Sequence, residues 1–307
     1  MSKILLATEK PFTKETVEDI KSIIEKSGNI FLLIENYKNK QDLIEAVKDI
    51  NALIVRSDKI TQEIMDAARN LKIIVRAGAG FDNIDIEYAS KKGIVVMNTP
   101  GQNANAVAEL VFGLLIYAVR NFYIGSTGSE LKGKKLGLLA FGQVGRNVAR
   151  IAKGFDMEIY SYDAYVPKEA LEQAGIHAVD KAEDLFKDCD IVSLHIPATK
   201  ETINSINYKL CSKMKKGAIL LNTARKDVVN ELELIKLMEE RKDLKYLTDL
   251  KPDNHEQFEN KFQGRYFATP KKMGAQTEEA NINAGKAAAN QIIDFLKTGN
   301  TKFQVNK

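Results

Sequence analysis

Residues 136–145 read LGLLAFGQVG, and this stretch decides the class of fold. Small residues recur in the order Ala140-x-Gly142-x-x-Gly145, after an apolar run and before a segment with helical spacing. In a dinucleotide-binding turn the first small residue makes the tight turn, the second lets a pyrophosphate touch the backbone, and the third packs helix on strand. Because the first position is alanine, the flanking strand and helix carry the prediction, since a helix N-terminus offers free N–H groups to a diphosphate.

An acidic residue at the expected spacing supports this interpretation. Asp163 follows the next apolar run and lies about 20 residues beyond the turn. Its carboxylate would accept hydrogen bonds from both ribose hydroxyls and repel a 2′-phosphate, which favours NAD over NADP. The alternative interpretation is a glycine turn that joins a strand to a helix and binds nothing.

Short apolar runs alternate with segments of helical spacing along the whole chain. Runs such as 52–55 and 94–97 lack polar alternation, which indicates strands buried on both faces of parallel sheets. The sequence therefore predicts an α/β fold of two doubly wound parallel-sheet domains, one flavodoxin-like and one Rossmann-like. An apolar helical stripe near residues 279–296 predicts that the tail returns to the first domain. We expect a substrate-binding domain of residues 1–100 plus 283–307 and an NAD-binding domain of residues 101–282.

Composition excludes several classes of protein. The chain has 307 residues, only two cysteines and three histidines, so a disulfide scaffold, structural zinc and a His-rich metal site are not expected. Its net charge of +4 comes without a dense basic stripe, which favours small anions over nucleic acid. The longest apolar stretch, 104–119, is shorter than the ~20 residues of a membrane span and predicts a buried helix. These features together predict a cytoplasmic protein with no membrane partner.

Five motifs occur in an order that resembles the D-isomer-specific 2-hydroxyacid dehydrogenase family over essentially the whole chain. They read VRAGAGFDNID (75–85), MNTPGQN (97–103), LKGKKLG (131–137), SLHIP (193–197) and LNTAR (221–225). The resemblance implies hydride transfer between NAD and C2 of a 2-hydroxy acid. Within the family the motifs are most similar to the members that oxidise 3-phosphoglycerate at the start of L-serine biosynthesis.

The resemblance assigns the chemistry to an arginine, a histidine and a glutamate, of which only the arginine is present. Arg225 matches the arginine, whose planar fork suits bidentate carboxylate binding. The family's Thr-Pro-His-x-Gly-Ala segment reads TPKKMGA here (269–275), which places Lys272 where the histidine is expected. The glutamate has no match near 253–254, and a lysine has no second ring nitrogen for a glutamate to orient. We therefore expect a lysine-using branch of the family, in which Lys272 transfers the proton if its pKa is lowered. Lys271 is a rival candidate for this role. The alternative is that the lysine only holds the substrate phosphate or carboxylate by its charge.

The same resemblance supplies the remaining site residues. Those expected at the cofactor are Gly142, Gln143, Val144, Gly145, Asp163, His195, Pro197, Thr202, Thr223, Ala224, Asp249 and Gly274. Those expected at the substrate are Arg56, Ser57, Gly78, Ala79, Gly80 and Asn103. In this scheme Asp249 contacts the nicotinamide amide, Arg56 and Ser57 hold the substrate phosphate or hydroxyl, and the glycines offer N–H groups to the carboxylate.

Two further expectations and two alternatives complete the prediction. The apolar 104–119 segment and the aromatic residues after it predict a homodimer. The residues up to 307 encode no serine-sensing regulatory domain, so we expect no feedback inhibition by serine through such a domain. One alternative is a related dehydrogenase for glyoxylate, glycerate or lactate. The other is a non-catalytic, NAD-sensing relative of corepressor type, which the missing histidine and glutamate would fit.

Overall fold

The computed structural model describes residues 1–306 and divides into two compact units. Unit 1 contains residues 1–103 and the segment that begins at Thr277, and unit 2 contains residues 104–276. The junctions expected from the sequence, at 100/101 and 282/283, lie a few residues from these limits. The later junction lies at 277 because helix α12 (Glu278–Thr298) is continuous and begins at an N-cap, where the Thr277 side chain accepts the N–H of Ala280.

Unit 1 is a five-stranded parallel sheet in the order β2-β1-β3-β4-β5. Its elements before the junction are β1 (Lys3–Thr8), α1 (Lys14–Lys26), β2 (Ile30–Glu35), α2 (Lys40–Ala46), β3 (Ala52–Val55), α3 (Gln62–Ala67), β4 (Ile73–Arg76), α4 (Ile86–Lys91) and β5 (Val95–Asn98). Helices α1 and α12 cover one face, and α2, α3 and α4 cover the other. The order is that of a flavodoxin-like sheet.

The edge strand of this sheet differs from the expectation that every strand is buried on both faces. Strand β2 pairs only with β1, and its residues Ile30 and Leu33 are exposed. An edge strand has one neighbour and incomplete helix cover, so its apolar run does not imply burial. At the opposite edge, the tail forms a bridge between Gln304 and Met97, and the Asn306 side chain bonds the backbone of Ile94 and Val96 at 2.8 Å each.

Unit 2 is a seven-stranded parallel sheet in the order β12-β11-β10-β9-β6-β7-β8. Its helices and strands are α5 (Ala104–Val119), β6 (Lys135–Leu139), α6 (Gln143–Gly154), β7 (Glu158–Tyr162), α7 (Lys168–Gln173), β8 (His177–Ala178), α8 (Ala182–Asp188), β9 (Ile191–Leu194), α9 (Tyr208–Cys211), β10 (Ile219–Asn222), α10 (Glu231–Glu240), β11 (Lys245–Thr248), α11 (His255–Lys261) and β12 (Tyr266–Ala268). The order reverses direction between β6 and β9, as in a Rossmann sheet. The predicted pair of doubly wound α/β sheets is confirmed.

The helix predicted from the longest apolar stretch is confirmed as α5. Ten of its residues are buried, and seven of them belong to the core that α5 and α6 build on one face of the unit 2 sheet. Helices α8, α9, α10 and α11 cover the other face. Several short helices were not predicted, among them α4, α7 and α8, because six or seven residues give too little periodicity to separate a helix from a loop.

Candidate functional site

The segments that follow the parallel strands of unit 2 gather at one edge of its sheet. This is where a doubly wound sheet opens a crevice for a ligand, next to the strand-order reversal. The structure places at this edge, after β6, β7, β9, β10, β11 or β12, the predicted residues Gly142, Gln143, Val144, Gly145, Asp163, His195, Pro197, Thr202, Thr223, Ala224, Arg225, Asp249, Lys272 and Gly274.

The glycine turn has the geometry that a diphosphate requires. Ala140 lies in the left-handed region at φ 82°, which explains why glycine is the usual residue there. Gly142 is the N-cap of α6, and a Cβ built on it meets nothing within 4 Å, whereas a Cβ on Gly145 would lie 2.5 Å from the carbonyl oxygen of Ala140. The first amides of α6 have no intrahelical acceptor and point at the open side of the turn. The residues present therefore fit a dinucleotide diphosphate.

Asp163 has more contacts than the sequence indicated. One carboxylate oxygen accepts the N–H of Phe141 at 2.7 Å, and the other accepts those of Tyr165 at 2.8 Å and Val166 at 3.0 Å. The side chain thus fastens the glycine turn after β6 to the loop after β7. A carboxylate has about four acceptor positions, so hydrogen bonding to ribose hydroxyls would use the capacity that these three bonds leave.

Strands β9 and β10 bring unpaired polar atoms to the same edge. Their register pairs Leu194 with Asn222, so the next residues, His195 and Thr223, face the same side of the sheet. His195 Nε2 and Thr223 Oγ1 are buried without a hydrogen-bond partner among the described residues. Burial lowers the pKa of His195 to about 4, so its ring is neutral at physiological pH. Buried polar atoms without partners are typical of a place where a ligand completes the hydrogen bonding.

Arg225 follows β10 on a loop shaped by one amide side chain. Asn222 Nδ2 donates to the carbonyl oxygen of Arg225 at 2.9 Å, and its Oδ1 accepts the N–H of Ala224 at 3.0 Å. The guanidinium itself donates to the carbonyl oxygen of Ala224 at 2.9 Å. After β9, Thr202 likewise shapes its own loop, since its hydroxyl donates to the carbonyl oxygen of Pro197 at 2.5 Å.

Lys271 and Lys272 lie exposed on the segment after β12. The carboxylate of Asp249 holds this segment: Oδ1 accepts from Thr269 Oγ1 and the N–H of Met273, and Oδ2 accepts the N–H of Gly274. Asp249 is buried, and its three bonds to the chain leave about one acceptor position of the carboxylate for the nicotinamide amide expected from the sequence. Since β11 lies between β10 and β12, Lys272 and Arg225 follow strands about 10 Å apart in the sheet.

Unit 1 presents its own predicted residues at the carboxyl edge of its sheet. Arg56 and Ser57 follow β3, Gly78–Gly80 follow β4, and Asn103 lies beyond β5. The Arg56 guanidinium donates to the carbonyl oxygens of Lys10 and Pro11 at 2.8 and 3.1 Å and to Asn281 Oδ1 at 2.6 Å, and it stacks on a phenylalanine ring. Burial lowers the pKa of Arg56. Its orientation is thus fixed by unit 1 contacts before any substrate binds.

Glycine is required at position 78, the first residue of the 78–80 turn, because of the residues packed around it. Gly78 is buried at φ 150°, and a Cβ there would overlap the guanidinium of Arg76, whose Nε donates to the carbonyl oxygen of Arg56 at 2.8 Å. An L side chain would therefore be strained and would displace the arginine.

Sequence reasoning missed Asn222, Asn281 and Asp58 as positioning residues, and it predicted Asp249 as a cofactor contact without its bonds to the lysine segment. Asn222 shapes the arginine loop, Asn281 and Asp58 act on the Arg56 segment, and Asp249 acts on the lysine segment. Asp58 accepts the N–H of Arg56 at 3.1 Å and is nearly fully buried. A polar residue at the carboxyl end of a buried strand is the one signal that could have indicated Asn222, the last residue of β10, and Asp249, which directly follows β11.

Across residues 1–306, no group of three or more His, Cys, Asp or Glu side chains is arranged to hold a metal ion. In the same residues, no helix has both the length and the apolar character needed to cross a membrane.

Comparison with known proteins identifies the class to which this arrangement belongs. Residues 118–267 match the model of the D-isomer specific 2-hydroxyacid dehydrogenase, NAD binding domain. A glyoxylate reductase from Thermococcus litoralis is 35% identical over 321 residues, which cover 96% of each chain. The chain belongs to the D-isomer-specific 2-hydroxyacid dehydrogenase family, and NAD is confirmed as its cofactor class.

More specific likenesses lie within that family. A cofactor(NAD+)-bound 3-phosphoglycerate dehydrogenase of Entamoeba histolytica has 51% identity and a TM-score of 0.90, with 100% of this chain and 99% of that chain covered. A D-3-phosphoglycerate dehydrogenase of Methanocaldococcus jannaschii is 36% identical over 295 residues, 91% of this chain and 56% of that protein. The chain spans 56–57% of the length of this relative and of the one from Archaeoglobus fulgidus.

Proposed function

We propose that the protein is an NAD-dependent dehydrogenase that oxidises 3-phosphoglycerate to 3-phosphohydroxypyruvate, the opening step of phosphorylated L-serine biosynthesis. Unit 1 is the substrate-binding domain and unit 2 the NAD-binding domain in this proposal. The observation that carries it is the edge of the unit 2 sheet, where Arg225 and Lys272 accompany a glycine turn fit for a diphosphate. The 51% identity to a 3-phosphoglycerate dehydrogenase with NAD+ bound supports the same choice of substrate.

The substrate would be held by its charges. A carboxylate pairs well with the planar fork of Arg225, which the loop shaped by Asn222 holds at the end of β10. On unit 1, Arg56 and Ser57 would bind the phosphate, and the Gly78–Gly80 backbone would offer N–H groups to the carboxylate. Two donors of the Arg56 guanidinium remain beyond its three bonds to unit 1, so the side chain can bind an anion without losing its orientation.

Lys272 is the acid–base group of the proposal. Bound NAD supplies the acceptor for the hydride that leaves C2. The neutral amine of Lys272 accepts the proton of the C2 hydroxyl, so that the oxygen forms a carbonyl and the lysine becomes an ammonium ion; the reverse reaction returns that proton. Arg225 holds the substrate carboxylate and oxygen in both directions.

The test replaces Lys272 with arginine, which keeps the positive charge but does not give up its proton. We expect kcat for 3-phosphoglycerate oxidation in K272R to fall by ~10²–10⁴, the usual size of a lost acid–base group, while substrate KM changes little. The matched control is K271R on the adjacent, equally exposed lysine, which should keep the rate of the unaltered protein. A K272R protein with normal kcat would refute the proton-transfer role, and a slow K271R protein would transfer that role to Lys271.

A second candidate is a related dehydrogenase acting on a smaller 2-oxo acid. The 35% identity to the glyoxylate reductase of Thermococcus litoralis, in an alignment that covers 96% of each chain, favours this candidate. The test that separates the two candidates compares kcat/KM for 3-phosphoglycerate, glycerate and lactate with NAD, and for glyoxylate with NADH. An R56M variant should lose kcat/KM only for the phosphorylated substrate under the first proposal. NAD binding without turnover of any substrate would instead support the non-catalytic relative.

We also propose a homodimer in the cytoplasm. After α5, Tyr123 and Ile124 expose 64% and 69% of their surface, which is unusual for apolar side chains of this size. We expect a solution mass of twice 34.3 kDa, reduced to one chain by I124E. Both cysteines are free and buried, and a chain with free thiols and no disulfide supports the proposed reducing compartment.

A further inference from the structure

One buried carboxylate holds both ends of the segment that carries the two lysines. Asp249 Oδ1 accepts from Thr269 Oγ1 at 3.0 Å and from the N–H of Met273 at 2.7 Å, on either side of Pro270-Lys271-Lys272. Oδ2 accepts the N–H of Gly274 at 2.8 Å. Asp249 is 1% exposed, so these bonds lie out of water, where losing one leaves a buried donor without a partner at a cost of about 1–3 kcal/mol.

The far end of the segment is held by packing as well as by hydrogen bonds. A Cβ on Gly274 would lie 2.9 Å from Asp249 Oδ2 and 3.2 Å from Val107 Cγ2 of α5. The near end is tied to the sheet, since the N–H of Thr269 donates to the carbonyl oxygen of Thr248 at 3.0 Å. Between these anchors Pro270 has a fixed φ, so few backbone conformations remain for the lysines.

We propose that Asp249 is a positioning residue, whose carboxylate sets the place of the Lys272 amine by bracketing the segment between Thr269 and Gly274. The inference rests on the proposed function of Lys272. It adds a second role to the expected contact of Asp249 with the nicotinamide amide, because three bonds of the carboxylate go to the chain itself. A displacement of about 1 Å is enough to cost roughly 10² in rate when a reacting group must be aligned.

The experiment is the isosteric D249N variant. An amide presents one NH₂ group, which cannot accept, so at least one of the three donors loses its partner. We expect kcat to fall about 10–100-fold while KM and Kd for NAD stay within about threefold, the pattern of a group that acts only on the chemical step. We also expect faster hydrogen–deuterium exchange at the Met273 and Gly274 amides, a readout independent of activity.

Two matched variants separate positioning from general stability. Asp190 accepts the N–H of Lys135 at 2.8 Å at the amino end of β6 and pairs with Lys215, so D190N removes a carboxylate that bonds the backbone of the same sheet without touching the lysine segment. D190N should leave kcat and the exchange at Met273 unchanged. T269V removes one of the three bonds to Asp249 and should give a smaller loss of kcat than D249N.

The double variant D249N/K272R separates the positioning role of Asp249 from the proton-transfer role of Lys272. If Asp249 acts through Lys272, D249N should lower kcat no further in a K272R background. Full additivity of the two losses would overturn the inference, as would a raised Kd for NAD with unchanged kcat and unchanged exchange. A K272R protein with normal kcat contradicts the proposed function instead, and faster exchange at Met273 in D249N then still identifies Asp249 as the anchor of the segment.

Discussion

The glycines at the start of α6 have different roles, which alanine substitutions should separate. A Cβ on Gly145 would lie 2.5 Å from the carbonyl oxygen of Ala140, and real Cβ contacts essentially never fall below 3.0 Å. Because the contacted atom is backbone, no rotamer change relieves the overlap, and α6 must move from β6 by about 0.5 Å or more. Overpacking of this kind costs about 1–3 kcal/mol, of which the better helix propensity of alanine returns up to ~1 kcal/mol.

The expected result for G145A is therefore a loss of about 1–2 kcal/mol in the free energy of unfolding, or roughly 2–8 °C in Tm. Gly142 is the matched control on the same turn, since its φ of −72° suits any residue and a Cβ there meets nothing within 4 Å. G142A should change unfolding by less than ~1 kcal/mol but weaken NAD binding, because the Cβ occupies the side open to the diphosphate.

Urea denaturation without cofactor measures the first effect, and quenching of tyrosine fluorescence on NAD titration measures the second. Gly154, exposed at the end of α6 with nothing within 4 Å, gives the gain from helix propensity alone in a G154A variant. Equal stability of G145A and the unaltered protein would refute the packing argument. Tight NAD binding by G142A would refute the assignment of that face to the diphosphate.

Two further predictions concern charge. Burial lowers the pKa of His195 from 6.5 to about 4, so protonation of this ring favours the unfolded state. The contribution of the neutral ring to the free energy of unfolding is complete above pH 6.5, and up to about 3 kcal/mol of it is lost as the pH falls towards 4. Urea midpoints measured across this pH range should show the loss, and the H195N variant should lack it. Asn281 Oδ1 accepts a hydrogen bond from the Arg56 guanidinium at 2.6 Å, and a bond to a charged group contributes about 1.5–3 kcal/mol. Because the N281L variant loses this bond and with it the orientation of Arg56, its KM for 3-phosphoglycerate should rise at least ~10-fold with kcat unchanged. The exposed Asn290 on the same helix provides the control N290L, and equal KM values in both variants would contradict the role of Asn281.

The sequence predicted the elements that local rules govern. Uniformly apolar runs indicated buried parallel strands, and the order of these runs placed Arg225 and the glycine turn at the carboxyl edge of one sheet. The alanine at position 140 was a visible departure from the fingerprint, and its φ of 82° shows that the chain adopts the turn in spite of the side chain.

Contacts between distant residues could not be predicted in this way. The bond from Arg56 to Asn281 joins positions 225 residues apart, and no single-sequence pattern specifies such a pair. Asp249 illustrates the same limit, because its place after a buried strand indicated a functional residue but not its partners on the segment after β12. Both depend on tertiary packing, which local propensity does not encode.

The division of unit 1 between two distant stretches of chain has a consequence for the order of folding. Its core joins Ile20 of α1 to Ala288 and Ile292 of α12, so it closes only after unit 2, inserted between them, has been synthesised. Unit 2 is one uninterrupted stretch and can collapse while α12 is still absent. Because a folded insert shortens the flexible loop that must be closed, early folding of unit 2 lowers the entropic barrier to completing unit 1. Substitutions that slow the folding of unit 2 should therefore delay assembly of both units.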